Sequence, residues 1–310
     1  MEYRKIGHTN MEVSQLSFGA SSLGGVFRAV DEQEAIKAVL AAVDQGMNFI
    51  DVSPYYGFYR AEEVLGKALR QITRDKYYIS TKVGRYGLDG KKAWDYSASR
   101  AKSSVDESLK RLGLDFVDLI NVHDLEFADL QQVIEETIPA LQEVRRAGKA
   151  RYIGITGLPL DKLKYVIEKL PAGSIDTILS FCHYSLNDNA LVDYLDFFKS
   201  NKIGVINASP LSMGLLTRRG APDWHPASER LKSVARKAVE VCNRHQYPIE
   251  QLAIKYSVSH PGIATTLVSS ANPDNIIRNV EWAEAPQNDA LLQEVLEILQ
   301  PVHRETWDNS

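Results

Sequence analysis

Apolar and β-branched residues gather in short runs along this chain, and after each run the apolar positions return every three or four residues. Eight runs stand out, at residues 13–18, 47–52, 77–81, 116–122, 151–156, 177–181, 203–208 and 264–268. They are short and nearly continuous in apolar character, as strands covered on both faces must be, whereas a sheet wet on one side alternates. An all-parallel sheet follows. The stretches at residues 61–71, 98–112, 130–147, 160–170, 190–200 and 273–283 read as amphipathic helices. Another opens with Asp31 ahead of Glu32 and Glu34, stops at Gly46, and sets Ala35, Val39 and Ala42 on one face. Eight strand and helix units of these lengths predict a closed (β/α)8 TIM barrel, in the α/β class.

Two helical stretches exceed what eight units need: residues 229–246, ahead of a helix at 249–259, and residues 289–303. They read as two additional helices on the barrel. Pro222, Trp224, His225 and Pro226 occupy the long loop before the first of them, where a substrate cover lies on such a fold. No linker or shift in composition divides the chain, so residues 1–310 read as a single domain. The 44% hydrophobic and 25% charged content supports a large core and excludes disordered and fibrous classes. A net charge of -4 with mixed signs offers no polybasic patch, so neither nucleic acid nor an anionic membrane is an expected partner. Glu2, Tyr3, Arg4 and Lys5 lead into no apolar signal region, and no run reaches the roughly 18 apolar residues of a membrane span; the expected location is cytoplasmic. No heptad repeat calls for an obligatory protein partner. Cys182 and Cys242, without metal or redox spacing, are expected as free thiols.

In a TIM barrel the chemistry sits where strands end, so the polar residues just after each apolar run are the candidates. Asp51 and Tyr56 follow the second run, Lys82 ends the third and His123 ends the fourth. Singly, each is more often a packing or surface residue; together they place four ionisable groups on one rim. A free phenol titrates near 10, and a neighbouring ammonium favours phenolate, so Lys82 is expected to lower Tyr56. Asp51 would keep Lys82 charged and oriented, and His123 would hydrogen-bond the substrate oxygen. None of the four is a redox centre, so hydride must travel on a cofactor. His183 follows the sixth run, but no carboxylate or thiolate with metal spacing accompanies it and His123, and no metal is expected. Gly19, Gly24 and Gly25 do not form a GxGxxG loop. The loop carrying Ser209, Leu211, Met213 and Gly214, and the segment Ser269, Ser270 entering the last barrel helix, fit the phosphate site barrels build near strands seven and eight.

With those residues in place the sequence resembles the aldo-keto reductase superfamily, from Tyr3, Arg4, Lys5, Ile6 and Gly7 through to the last helix. The most specific parts are residues 51–57, Lys82, residues 104–115 and His123. The resemblance implies a barrel that binds an extended nicotinamide dinucleotide at its C-terminal face, with Tyr56 as acid/base and Asp51, Lys82 and His123 completing a tetrad. Residues 18–21, 82–86, 123–127, 154–160, 182–184, 208–217 and 224–228 resemble the plant-type branch of that family that oxidises L-galactose. That branch implies NAD-dependent oxidation of an aldose at C1 to the lactone, the sugar being L-galactose or a relative such as L-fucose or D-arabinose.

Departures from the wider family refine the expectation. Its Ser-Asn pair for the nicotinamide carboxamide is Thr156-Gly157 here, and Ala208 replaces a Tyr that often stacks on the nicotinamide. Counting back from Asn279, the basic residues that hold a 2'-phosphate in NADPH-using members fall on Ser269 and Asn275, which implies NAD. Arg278, Arg218 and Arg219 are the cations able to overturn that argument. Ser21, Arg85, His183, Trp224 and His225 are candidates for the sugar shell. An NAD(P)H-dependent aldehyde or ketone reductase uses the same residues in reverse, and a cofactor-sensing regulatory subunit is the alternative of a different class.

Overall fold

The first residues fold away from the barrel wall and under it. In the computed structural model, which describes residues 1–25, 29–87 and 93–307, strands β1 (Tyr3–Lys5) and β2 (Glu12–Ser14) form an antiparallel hairpin. The wall follows as β3 (Leu16–Gly19), β4 (Phe49–Asp51), β5 (Tyr78–Val83), β6 (Val117–Val122), β7 (Ala150–Gly157), β8 (Thr177–Phe181), β9 (Gly204–Ala208) and β10 (Thr265–Val268). All eight run parallel, and β10 pairs back onto β3 to close the barrel. The apolar run at 13–18 is therefore two strands rather than one. Val13 belongs to the hairpin and packs with Ile6 and Met11 into the barrel floor, while Leu16 starts the wall. Plug and wall are equally buried, so apolar continuity does not separate them.

Alternation along each strand sorts the core into two layers. Phe49, Leu119, Leu179, Ile206 and Leu267 point inward and meet the hairpin's Ile6, Met11 and Val13. Ile50, Ile79, Ile120, Ile153 and Ile178 point outward, under the helices. Those helices include α1 (Glu32–Asp44), whose first turn is capped by the Asp31 carboxylate at 3.0 Å from Glu34 N, then α2 (Arg60–Leu69) and α3 (Ala98–Leu112). The predicted helix at 130–147 is broken into α4 (Leu130–Gln132), a π-helical turn Val133–Thr137 and α5 (Ile138–Arg146). Pro139 accounts for the break, since it has no N–H to return to the preceding turn. After α6 (Leu160–Lys169), the predicted helix at 190–200 is a 3-10 turn, Ala190–Tyr194, running into α7 (Leu195–Ser200).

The expected additions are α8 (Glu229–Arg244) and α11 (Asp289–Leu299), which flank the barrel helices α9 (Ile249–Val258) and α10 (Pro273–Glu284). Ala238, Val241 and Cys242 of α8 pack on Leu291, Val295 and Leu299 of α11, with Ile249 and Leu252 of α9 beneath. Cys182 and Cys242 are both buried free thiols. No helix among the described residues is long and apolar enough to cross a membrane.

Candidate active site

Lys82 runs up the inside of the barrel near the end of β5 and is 1% exposed. Its ammonium donates to Asp51 Oδ1, to the Val52 carbonyl at 2.9 Å and to Tyr56 Oη at 3.3 Å. Three donors thus meet three acceptors, the condition under which a buried ammonium is tolerated. Burial alone would discharge it, but Asp51 and Tyr56 together carry its pKa above the ordinary value. Burial raises the Asp51 carboxyl, with Lys82 opposing.

Tyr56 departs from expectation. Burial, the largest influence, raises its phenol above the ordinary 10, Lys82 pulls it down, and Asp51 and Asp124 push it up again. The ammonium is already matched by the Asp51 carboxylate, so too little of its field remains to offset the burial of a phenolate. The phenol therefore rests protonated. Its loop is held by backbone contact: Gly57, Phe58 and Tyr59 take successive positive φ values of 63°, 53° and 74°, and Gly57 lies on Gly24. Past the loop, buried Glu62 on α2 accepts from Thr81 at 2.6 Å and from Arg111 at 2.7 Å, tying the helix to β5 and α3.

His123, just past β6, sets its ring 5.8 Å from the Tyr56 ring and nearly perpendicular to it, at 88°. Ser53 Oγ accepts from Tyr55 N at 3.1 Å and lies 3.0 Å from His123 Nδ1. With the hydroxyl proton given to Nδ1, Nε2 carries the ring hydrogen, and Asp124 Oδ2 at 3.6 Å favours the same tautomer. Burial first, then Lys82 and Arg85, lower His123 well below 6.5, so the imidazole is neutral. A neutral Nε2–H, a phenol and an ammonium behind it form a set that can hold one substrate oxygen and exchange its proton.

Further residues brace this set, and of these Tyr96, Gly84 and Glu126 gave no signal as site residues in the sequence, whereas Thr156 and Gly157 were expected at the cofactor. The Tyr96 hydroxyl donates to the carbonyls of His123 at 2.8 Å and Asp124 at 3.1 Å. Gly84, at φ 103°, lets the Tyr96 ring approach where any Cβ would collide with it. Thr156 Oγ1 accepts from Asp124 N at 3.0 Å. A Cβ on Gly157 would come 3.0 Å from Glu126 Oε2, so that carboxylate fills space a longer side chain would need. Burial, then Asp124, raises Glu126 to about 7.

On the β9 and β10 side of the rim, Ser209, Ser212, Met213 and Gly214 adopt φ of 58°, 45°, 55° and 104°, and the loop winds on itself, Ser212 N donating to the Ser209 carbonyl at 2.8 Å and Gly214 N to that of Leu211 at 3.0 Å. Leu211 lies between them. The expected phosphate position at the start of α10 is filled from within the chain, because Asn272 Oδ1 accepts from Asp274 N at 2.8 Å and Asn275 N at 3.3 Å. Beside it, Ser269 Oγ meets Ser22 Oγ at 2.7 Å and Ser21 Oγ at 3.0 Å, and Asn275 Nδ2 meets Ser270 Oγ at 3.4 Å. Asn279 follows, half-buried, one turn along α10. Arg278 Nη1 approaches Asn275 Oδ1 at 3.4 Å, from an exposed position. Neutral hydroxyls and amides fit ribose and carboxamide groups through ordinary hydrogen bonds, so this donor set suits a nicotinamide dinucleotide.

The candidates for the sugar shell separate. Arg85 stands beside His123 and pairs with Asp124 at 2.6 Å. Ser21 is drawn to Ser269 instead. His183 Nδ1 is held by Asp188 at 2.9 Å. His225 has both ring nitrogens engaged, Nε2 with the Ser212 carbonyl at 2.9 Å and Nδ1 with Ala227 N at 3.1 Å, so it fastens the loop rather than reaching a ligand. Trp224, 53% exposed, stacks beside it.

Comparison with known proteins matches residues 15–300 to the aldo/keto reductase family. The chain is 46% identical to L-galactose dehydrogenase of Arabidopsis thaliana, over 99% of this chain and 97% of that one. It is 32% identical to D-arabinose 1-dehydrogenase of Saccharomyces cerevisiae, over 80% of this chain and 76% of that one. Among solved structures it is similar to the holo form of an aldo-keto reductase from Bacillus halodurans, with a TM-score of 0.80, 27% identity, and coverage of 100% and 99% of the two chains.

Proposed function

We propose, from the premise that this chain belongs to the aldo/keto reductase family, that it is a cytoplasmic NAD-dependent dehydrogenase oxidising an aldose at C1 to the lactone. L-galactose or a close relative is the sugar. The observation that carries the chemistry is Lys82 bonded at once to Asp51, Val52 and Tyr56, with the His123 ring 5.8 Å from that of Tyr56. The choice of sugar is supported by the likeness to L-galactose and D-arabinose 1-dehydrogenases.

In this reading the C1 oxygen lies between Tyr56 Oη and His123 Nε2. Tyr56 takes the hydroxyl proton, Lys82 stabilises the phenolate form that receives it, and His123 holds the oxygen through Nε2–H. A nicotinamide dinucleotide bound at this rim supplies the hydride acceptor and a positive ring that favours the phenolate. The raised phenol of Tyr56 also supports a second reading, reduction of an aldehyde or ketone, for which a protonated tyrosine is ready as the acid.

The preference for NAD is supported by the neutral Ser269 and Asn275. A charge-assisted bond contributes about 1.5–3 kcal/mol, so lacking two of them disfavours NADP by roughly two orders of magnitude or more. NADH formation across L-galactose, L-fucose, D-arabinose, L-gulose and D-galactose, with NAD and NADP compared, tests both points. Oxidation of at least one sugar with NAD preferred is expected. Absence of sugar oxidation alongside aldehyde reduction would establish the second reading, and equal use of NADP would mean that Arg278 or another cation reaches the 2'-position.

A further inference from the structure

Next to the proton-handling residues the rim carries an ion pair that moves no proton. Arg85 Nη1 donates to Asp124 Oδ2 at 2.6 Å, and the carboxylate is buried. The guanidinium is stacked 3.5 Å from the Tyr55 ring centroid and 4.4 Å from that of Trp94, and its Nε is buried without a hydrogen-bond partner. Asp124 is fixed on three sides: a left-handed backbone at φ 48° and ψ 71°, its N–H on Thr156, and its carbonyl under the Tyr96 hydroxyl. Neither the ion pair nor the left-handed backbone is explained by stability. A buried ion pair is commonly no better than apolar residues of the same volume, and a left-handed non-glycine residue is strained. Such features collect where a site needs them.

Position gives the pair its use. Asp124 Oδ2 lies 3.6 Å from His123 Nε2, the nitrogen left to face the reacting oxygen once Ser53 engages Nδ1. An oxygen seated on Nε2 would bring a substituent of an adjoining atom within reach of the Asp124 carboxylate, 3.6 Å from that nitrogen. We propose that Arg85 and Asp124 together read a hydroxyl on the carbon adjacent to the one oxidised, which makes vicinal hydroxy compounds the substrate class and the pair a specificity determinant. A hydroxyl both donates and accepts; Asp124 accepts a hydrogen bond from its O–H and Arg85 donates one to its oxygen. Tyr55 and Trp94 hold the guanidinium plane in one orientation, so little freedom is lost on binding. A substrate lacking that hydroxyl covers the pair without satisfying it, and sites built to bond a hydroxyl reject such analogues strongly. The inference rests on the proposed sugar dehydrogenase activity, because the adjacent carbon is then C2 of an aldose.

The test compares kcat/KM for an aldose the wild-type enzyme oxidises with kcat/KM for its 2-deoxy analogue, with thermal melting recorded for each variant. Wild type should prefer the full sugar by at least about tenfold. Asp124→Asn should raise KM for the full sugar more than it lowers kcat, and should draw the ratio of the two sugars toward one. Arg85→Lys, at a half-buried position less exposed to folding failure, keeps the charge but loses the planar fork and should compress the same ratio. A wild-type ratio near one, or a ratio preserved in both variants while each sugar falls by a common factor, overturns the proposal and leaves the pair as scaffold. A wild-type enzyme that oxidises no aldose but reduces aldehydes overturns the functional reading itself, and the inference falls with it, an outcome distinct from the other two.

Discussion

Replacing Gly24 with alanine should disable the enzyme without touching any group that takes part in chemistry. A Cβ at Gly24 would lie 2.5 Å from the Tyr56 carbonyl oxygen and 2.7 Å from its carbon, where ordinary contact begins near 3.4 Å. The neighbours are backbone, so no side chain can swing aside. The Tyr56 loop must retreat by about 0.9 Å to restore ordinary contact. Tyr56 Oη is already 3.3 Å from Lys82 Nζ, near the limit of a hydrogen bond, and a retreat of that size breaks it. Misplacement of about 1 Å costs on the order of a hundredfold in rate, and overpacking of this kind costs about 1–3 kcal/mol of stability. The assay is steady-state kcat with sugar and NAD, beside a thermal melt. Gly148→Ala is the control, since it also has a positive φ of 76° but no atom within 4 Å of the added Cβ. It should lose some stability and keep its kcat. Wild-type kcat in Gly24→Ala would refute the claim that backbone contact with Gly24 positions Tyr56.

Two further outcomes are expected. Tyr56→Phe should retain cofactor binding, followed by quenching of protein fluorescence, and lose turnover by about 10²–10⁴-fold, since it removes the proton relay and little packing; undiminished turnover would sink the mechanism. Glu126, raised from 4.5 to about 7, holds a proton in the native state that the unfolded chain has released. Its contribution to stability is therefore present below about 4.5 and lost as pH rises through about 7, so Glu126→Gln should gain in melting temperature relative to wild type across that interval, and a constant difference from about pH 5 to 8 would contradict the assignment.

The wall of the barrel was legible because a strand buried on both faces writes itself as a continuous apolar run, and the four rim residues were legible because each ends or follows such a run. The floor was not. Val13 and Leu16 carry the same apolar signal, yet one plugs the barrel and the other builds it. Asp124 and Tyr96 were invisible as site residues for a related reason. Their meaning lies in partners far along the chain, Arg85 being 39 positions from Asp124 and Tyr96 reaching His123 across 27. The sequence also displays the charge of Lys82, which does pull the phenol of Tyr56 down as expected, but not the burial that outweighs it and leaves the phenol raised. His225 looked available in the sequence and proves to be occupied at both nitrogens.

The pairing of β10 with β3 makes this molecule a ring whose last joint is formed by the two most distant parts of its wall. Ser17 and Thr265, which share a hydrogen bond across that joint, are 248 residues apart. At a ribosomal rate of about 5–20 residues per second, β3 waits roughly ten to fifty seconds for its neighbour. Until β10 is made the wall has no partner for the free edge of β3, and an unpaired strand edge is a template for wrong pairing. The hairpin plug waits too, since Arg4 anchors to the carbonyls of His260 and Ile263 and Gly7 lies against Gly204. A segment synthesised ahead of the whole wall is thus among the last to be seated. Substitutions at Gly7, Gly204 or the Ser17–Thr265 contact should accordingly lower the yield of folded protein more than they alter the kcat of the molecules that do close.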